Sequence, residues 1–506
     1  MSVKKNILLT LVFLMSIGLF LGCEKQGMME TEKEYQTTQH TVGVRPKLIQ
    51  EYPISNATGV ALSDWITCTF DEDMQANTLN PNNIKLVRIN DKSVIPISLS
   101  YEVHSRRLTI KPKFQFQMTN NSTDYQGLRP NTQYRLEFDS KQIKDLDQDL
   151  LEATTWNFTT IDLDYGIYFL GSGGEMEKWV SGRVNSYFDQ AKPTVLYIHG
   201  WQPTSTLNDY CRDNCFFSNN KYVKQMNTIE TWRNAGWNVA IFYWSQFADE
   251  IEVKDAQAKL YQADNDRKDM RYAYRNGLTV SYRIYNNSSK NMTELAYENY
   301  QKVFAGYQKE IRFLGHSLGN QFVTTLAKKV SDQIEAKAIP QSYMPKRLVL
   351  LDPFWGKGEE ACVGGKWVGE VCRDYIEIML LRHGLLVEQY KSSLLGGLIA
   401  DENLEMRKMV CFTWLKPDLI PIQDSADQHS YAYQWYTMSL EKAIGDDAGH
   451  YLGAKATNTQ IKNQSNWDYQ LKKTKNNPIH FYTEKGKDTA TPNDDLFKLA
   501  TGVGSL

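Results

Sequence analysis

The pattern of apolar and polar positions changes character several times along the chain. Residues 7–21 are one apolar run, preceded by Lys4 and Lys5 and closed by Gly22-Cys23. A charged start, a short apolar stretch and small residues at its end predict a secretory signal segment rather than a spanning helix. Residues from 24 to about 45 are rich in Glu, Gln, Thr and Lys and carry no period, so they predict a flexible tether. Between 46 and 160 short alternating or β-branched runs, such as Trp65 to Phe70 and Arg107 to Ile110, are separated by Asn, Asp, Pro and Gly. That texture predicts a small all-β sandwich.

Beyond residue 160 the runs stop alternating. Val195 to Ile198 and Val239 to Tyr243 are continuously apolar, as expected of strands buried on both faces. Helical spacing from about Met292 to Gln308 leads into a strand at Ile311 to Leu314, a helix from Asn320 to Val330 and a strand at Arg347 to Leu351. Strands alternating with helices predict an α/β domain over 161–506 with a mostly parallel sheet. Residues 253–300 are polar and show no clear period. Hydrophobic residues make up 42% and charged residues 23%, which suits a globular body, and a net charge of −2 leaves no basic footprint for nucleic acid.

Gly315-His316-Ser317-Leu318-Gly319 falls between a predicted strand and a predicted helix. This is the setting of a G-x-S-x-G nucleophile elbow, in which the serine sits on a strained turn and the flanking glycines let helix and strand approach. Such an elbow places Ser317 at the positive end of a helix, where developing negative charge is favoured. His199-Gly200-Trp201 follows the first strong strand, so the amides of Trp201 and Leu318 are the candidate oxyanion donors. His199 is expected to brace that loop and His316 to order the elbow. Asp352, before Pro353 at the end of the strand at 347–351, is the candidate acid. A base following the acid leaves His383, His429, His450 and His480 open. No dinucleotide fingerprint or P-loop competes, and this chemistry calls for no metal or organic cofactor.

Six cysteines lie beyond Cys23, and Cys211/Cys215 and Cys362/Cys372 are local disulfide candidates in an exported chain. Cys211 and Cys215 also admit a zinc reading, but no second ligand pair follows at suitable spacing. 

Several resemblances add to this reading. Leu19-Phe20-Leu21-Gly22-Cys23 resembles a bacterial lipobox, which implies removal of residues 1–22, acylation of Cys23, and residence in the cell envelope, at the outer membrane or cell surface. Tyr52-Pro53 to Gly59-Val60, Thr69 to Met74, Leu128 to Tyr134 and Trp156 to Thr160 resemble the bacterial Ig-like domain of the S-layer type, which implies a spacer or binding module. From about Lys192 to Leu440 the chain resembles the pancreatic-type lipase family of α/β-hydrolases. The match rests on Ile198-His199-Gly200, the Ser317 elbow, Leu350-Leu351-Asp352-Pro353 and the segment His429 to Leu440. The resemblance implies His429 as base, a triad of Ser317, Asp352 and His429, and an ester or lipid substrate. Tyr431 replaces the family's usual Arg after the His, which leaves glyceride or phospholipid specificity open. His450, in a glycine-rich loop, is the competing base. The family's lid falls between acid and base, where Cys362, Cys372 and the apolar stretches Ile376 to Leu386 and Leu394 to Ile399 read either as a mobile cover or as buried helices. Two other function classes remain: a surface adhesion or carbohydrate-binding lipoprotein on a hydrolase scaffold, and a serine peptidase or amidase. Every candidate residue for chemistry lies beyond Ile161, so the second part alone is expected to carry it.

Overall fold

The computed structural model describes residues 43–119, 122–285, 289–394, 400–464, 479–486 and 488–501. The signal segment, Cys23 and the tether up to residue 42 lie outside the described residues. In the first part alternation becomes two facing sheets. Leu48–Tyr52, Ile66–Phe70, Arg107–Pro112 and Ile97–Glu102 form one; Ala57–Val60, Thr155–Thr160, Gln133–Phe138, Ile84–Arg88 and Val94–Ile95 form the other. Ile66, Cys68 and Phe70 face inward from one sheet, and Tyr134, Leu136 and Phe138 from the other. Phe138 stacks on Trp156 at 5.6 Å between ring centroids.

The second part is built on strands β1 (Gly166–Leu170), β2 (Glu175–Lys178), β3 (Thr194–Ile198), β4 (Asn238–Tyr243), β5 (Ile311–His316), β6 (Arg347–Leu351), β7 (Leu386–Lys391), β8 (Cys411–Trp414), β9 (Ile479–Lys485) and β10 (Leu496–Thr501). Their order across the sheet is β2-β1-β4-β3-β5-β6-β7-β8-β9-β10. The strands from β4 to β9 in that order run parallel, while β1 and β2 are antiparallel to their neighbours and β10 is antiparallel to β9. Helices α1 (Ile229–Asn234), α2 (Val253–Tyr261), α3 (Met292–Val303), α4 (Gly319–Glu335), α5 (Val368–His383) and α6 (Ser425–Met438) cover it.

Period-2 geometry sends alternate residues of these strands into two different cores. Val195, Tyr197, Val239 and Ile241 pack with Trp232 of α1 and Tyr436 of α6, whereas Leu196, Ile198, Ala240 and Phe242 pack with Phe322 and Leu326 of α4. Both faces are therefore buried, which is why these segments lack alternation in the sequence. From β3 the chain moves to β4 on one side and later to β5 on the other. That reversal opens a crevice at the carboxyl ends of β3 and β5.

The junction between the two parts departs from a simple boundary at residue 160. A hairpin of the first part, Phe114–Thr119 with Ser122–Gln126, leaves the sandwich and adds to the edge of the second part's sheet, with Gln115 and Phe114 opposite Glu175 and Met176 of β2. Phe116 meets Phe217 at 6.2 Å, and the described residues of both parts fall in one compact unit. An open edge strand invites foreign pairing, and here the hairpin covers it.

Residues 253–300, which show no period, form α2, a hairpin of Arg271–Asn276 with Thr279–Ile284, and α3. Their polarity is partly internal: Lys259 and Glu250, neither with any side-chain exposure, pair at 2.6 Å, and Arg271 joins Glu250 from the hairpin. Of the two readings for 353–428, Ile376 to Leu386 follows the second, since it ends α5 and begins β7 as an ordinary parallel crossover, with Ile376 and Met379 in the core. Residues 395–399, within the other apolar stretch, lie outside the described residues. Neither proposed disulfide is present: none of the six described cysteines is in a disulfide, and Cys372 sits inside α5 with its Sγ 3.4 Å from the Tyr261 hydroxyl. Among the described residues no helix is long and apolar enough to cross a membrane.

Candidate active site

Ser317 lies between β5 and α4 with φ of 55°, the left-handed region that a side chain rarely adopts. Three glycines make room for that turn. A Cβ on Gly315 would stand 2.5 Å from the Gly319 carbonyl oxygen, one on Gly319 would stand 2.2 Å from that of Ile198, and one on Gly200 would stand 2.8 Å from the Ser317 Cβ. The elbow is thus locked against the loop after β3, where Gly200 approaches the Leu318 amide and Trp201 reaches the same cavity.

Asn320, fully buried, ties the turn to the neighbouring strand. Its Nδ2 donates to the carbonyls of Ser317 (3.0 Å) and Leu351 (2.9 Å), and its Oδ1 accepts the Leu351 amide at 2.8 Å. Phe354 N also donates to the Ser317 carbonyl, at 3.2 Å. Nothing in the five-residue motif singles Asn320 out, because its role exists only across the β5–β6 pairing.

Asp352 leaves β6 with φ of 42° and is 5% exposed. Its Oδ2 lies 2.5 Å from His429 Nδ1 and also accepts the Ser393 hydroxyl, while its Oδ1 accepts the amides of Ser392 (2.9 Å) and Ser393 (3.3 Å). Burial by itself pushes this carboxyl up, but the His429 bond and the donors at 392–393 prevail and hold it below the usual carboxylate range. His429, in the second turn of α6, keeps Nε2 as its remaining ring nitrogen. The cavity lined by Asp352 and His429 is also lined by Ser317 and measures about 380 Å³. Ser317, Asp352 and His429 are therefore brought together from β5, β6 and α6.

The other histidines are placed elsewhere. His199 donates from Nδ1 to the Gly200 carbonyl (2.9 Å) and accepts the Trp244 amide at Nε2 (3.2 Å), so it braces its loop. His316 donates from Nε2 to the His429 carbonyl at 3.0 Å. Burial drags both rings down to about 3, which keeps them neutral. His450 pairs with Asp446 of its own loop at 2.8 Å and does not line the cavity. His383, at the end of α5, bonds Ser331 and Gln341. The His480 side chain lies outside the described residues.

Sequence reasoning missed Asp213, whose carboxylate lines the cavity, accepts the Tyr197 hydroxyl at 2.8 Å and is raised by burial. It also missed Lys391, Glu402 and Arg407, which line the same cavity. Trp201, Phe354, Trp355, Tyr433 and Val253 supply an apolar and aromatic lining. Among the described residues no group of three or more His, Cys, Asp or Glu side chains is arranged to hold a metal.

Residues 43–160 match the family described as the bacterial Ig-like domain. No curated protein matches the chain. Among solved structures, the S-layer protein SbsC aligns at 16% identity over 25% of this chain and 15% of its own, with a TM-score of 0.18. A lipase-esterase related protein from Clostridium acetobutylicum aligns at 10% identity over 53% of this chain and 86% of its own (TM-score 0.18), and Porphyromonas gingivalis dipeptidyl peptidase 4 at 9% over 77% and 44% (TM-score 0.23). The chain spans only a small part of the S-layer proteins it matches, and TM-scores this low carry no argument, so the first part alone is placed in a family: residues 43–160 are similar to bacterial Ig-like domains.

Proposed function

We propose that the protein is an α/β-hydrolase that cleaves carboxylic esters through an acyl-enzyme on Ser317, exported and held at the cell envelope by lipid on Cys23. The observation that carries the reading is the Asp352–His429 bond at 2.5 Å beside Ser317 on its strained turn, in one cavity. The strand order, with its reversal at β3, and the glycine-lined elbow support the fold assignment.

In the reaction His429 Nε2 takes the Ser317 proton as Oγ attacks the ester carbonyl. Asp352 fixes the ring with its proton on Nδ1 and stabilises the imidazolium. The Trp201 and Leu318 amides receive the oxyanion, aided by the N-terminus of α4. The intermediate collapses, the alcohol leaves with the proton from His429, and water then repeats the cycle to release the acid. The aromatic lining favours an ester with an apolar portion. Neutral His199 and His316 hold backbone and take no proton.

A fluorophosphonate probe should label the wild-type chain and leave Ser317→Ala unlabelled, with short-chain p-nitrophenyl ester turnover lost in parallel. Equal labelling of the two would remove Ser317 from the mechanism. For the anchor, metabolic labelling with a fatty acid should mark the wild type and not Cys23→Ala; equal incorporation would refute it.

A further inference from the structure

The cavity that Ser317 lines also carries charges that ester hydrolysis does not need. Lys391 ends β7, directly before the serines that hold Asp352, and Arg407 ends the helical turn Leu404–Arg407 ahead of β8. Both line the cavity, and their side chains are only 6% and 4% exposed. One carboxylate, Glu402, lies between them and bonds both. Asp352 is occupied by His429 and the 392–393 turn, and exposed Asp401 accepts the Asn403 amide at 2.8 Å.

One donor and one acceptor beside these cations are left unused. Arg407 Nε is buried with no hydrogen-bond partner, and so is Oε1 of Gln389, two residues before Lys391 on the same face of β7. Buried polar atoms are ordinarily satisfied, so the orphaned Arg407 donor on the cavity wall marks a place for an incoming acceptor, while the orphaned Gln389 oxygen, itself an acceptor, serves that group only with its amide turned round. A guanidinium fork and an ammonium side by side match an anionic oxygen group, and the Gln389 amide can turn its NH₂ toward the same group. Burial, and for Lys391 the neighbouring Arg407, pulls Lys391 down to about 8 and Arg407 to about 10.

We infer that Lys391, Arg407 and Gln389 form a subsite for a carboxylate or phosphate carried by the substrate, so that the preferred ester is anionic; this rests on the hydrolase reading above. The aromatic lining then holds the apolar portion while the subsite fixes the charged end.

Two matched pairs of esters test it near neutral pH: mono-p-nitrophenyl glutarate against p-nitrophenyl pentanoate, and butyryl-glycerol phosphate against monobutyrin. The anionic member of at least one pair should lead in kcat/KM by about tenfold or more, since a charged subsite left empty penalises the neutral analogue. The first pair leading indicates a carboxylate, the second a phosphate. Lys391→Met and Arg407→Gln should each bring that ratio toward unity, with Arg407→Lys retaining part of it. Calorimetry on Ser317→Ala with glutarate and with inorganic phosphate supplies a readout free of turnover. Binding that Arg407→Gln abolishes upholds the subsite even if no ester is cleaved, in which case the hydrolase reading falls alone. Equal kcat/KM within both pairs, or preference for the neutral members, together with no heat from either anion, overturns the subsite whatever the catalytic outcome.

Discussion

The Ig-like part and the α/β part bury their strands by different rules. In the first, Ile66–Phe70 and Gln133–Phe138 alternate between buried and more exposed positions, so each sheet keeps an outer face in water. In the second, β3, β4, β5 and β6 are buried at every position. A sheet covered on both faces can offer chemistry only where its strands end, and there Ser317 and Asp352 leave β5 and β6 with positive φ. The sandwich has no such edge. Besides ion pairs from Arg88 and Arg129 to Asp209, it gives the second part a hairpin, Phe114–Thr119 with Ser122–Gln126, which turns an apparent spacer into part of the sheet.

The comparison can be broken most severely at the strand ends. His429→Ala should lower kcat for an ester by roughly 10⁴-fold, and His450→Ala by about tenfold at most, with both variants folded. Steady-state kinetics beside circular dichroism decides it, and the reverse ranking would move the base to His450.

The hairpin is next. Phe116, 2% exposed between Tyr125 and Phe217, should cost about 3–5 kcal/mol when changed to Ala, seen as a lower melting temperature of the whole chain with kcat per folded molecule unchanged. A chain beginning at Ile161 should likewise be destabilised, because it loses the hairpin along β2. If that shortened chain melted with the full-length protein, the first part would be a spacer after all.

A smaller effect is expected at Ser393, a positioning residue acting through Asp352. Ser393→Ala removes one charge-assisted hydrogen bond and should lower kcat about tenfold with little change in KM. With one donor fewer the Asp352 carboxyl rises, so activity should fail at a higher pH on the acid side, and Ser393→Thr should restore the profile. An unchanged pH profile would make the serine merely structural.

The smallest effect lies at Asp495, where the loop before β10 meets α6. Burial raises its carboxyl to about 6, against the Trp435 indole that donates to it at 2.6 Å. Between the ordinary carboxyl value of 3.8 and about 6 the folded state holds this proton more tightly than the unfolded chain. Its contribution to stability therefore falls as pH rises through that window and stays low above it. Asp495→Asn should raise the melting temperature by a few degrees above pH 6 and leave it unchanged near pH 4; a gain at both would assign the effect to packing.

Much of this was legible because local chemistry and period agreed. Period 2 marked the sandwich, continuous apolar runs marked β3 to β6, and Gly315-His316-Ser317-Leu318-Gly319 marked the elbow. The helix at 368–383 and the polar region 253–300 were not legible. Ile376 to Leu386 spans a helix end and a strand start that share apolar composition, and the charged Lys259 and Glu250 are buried together, which no period records. The cysteines misled because spacing says nothing about direction, and Cys372 points to Tyr261 instead of Cys362.

The sequence by itself determined which segments could be strands, where a strained serine turn would fall, and which carboxylate and histidines were available to it, since these follow from residue type and spacing within a few positions. Only the tertiary structure decided that His429 rather than His450 faces Asp352, that Asn320 and Ser393 hold the turns, and that Lys391 and Arg407 share one carboxylate in the cavity wall. The bonds to Asp352 and Leu351 join residues 31 to 77 positions apart. The register of parallel strands and the docking of α6 set them, and no local pattern records either.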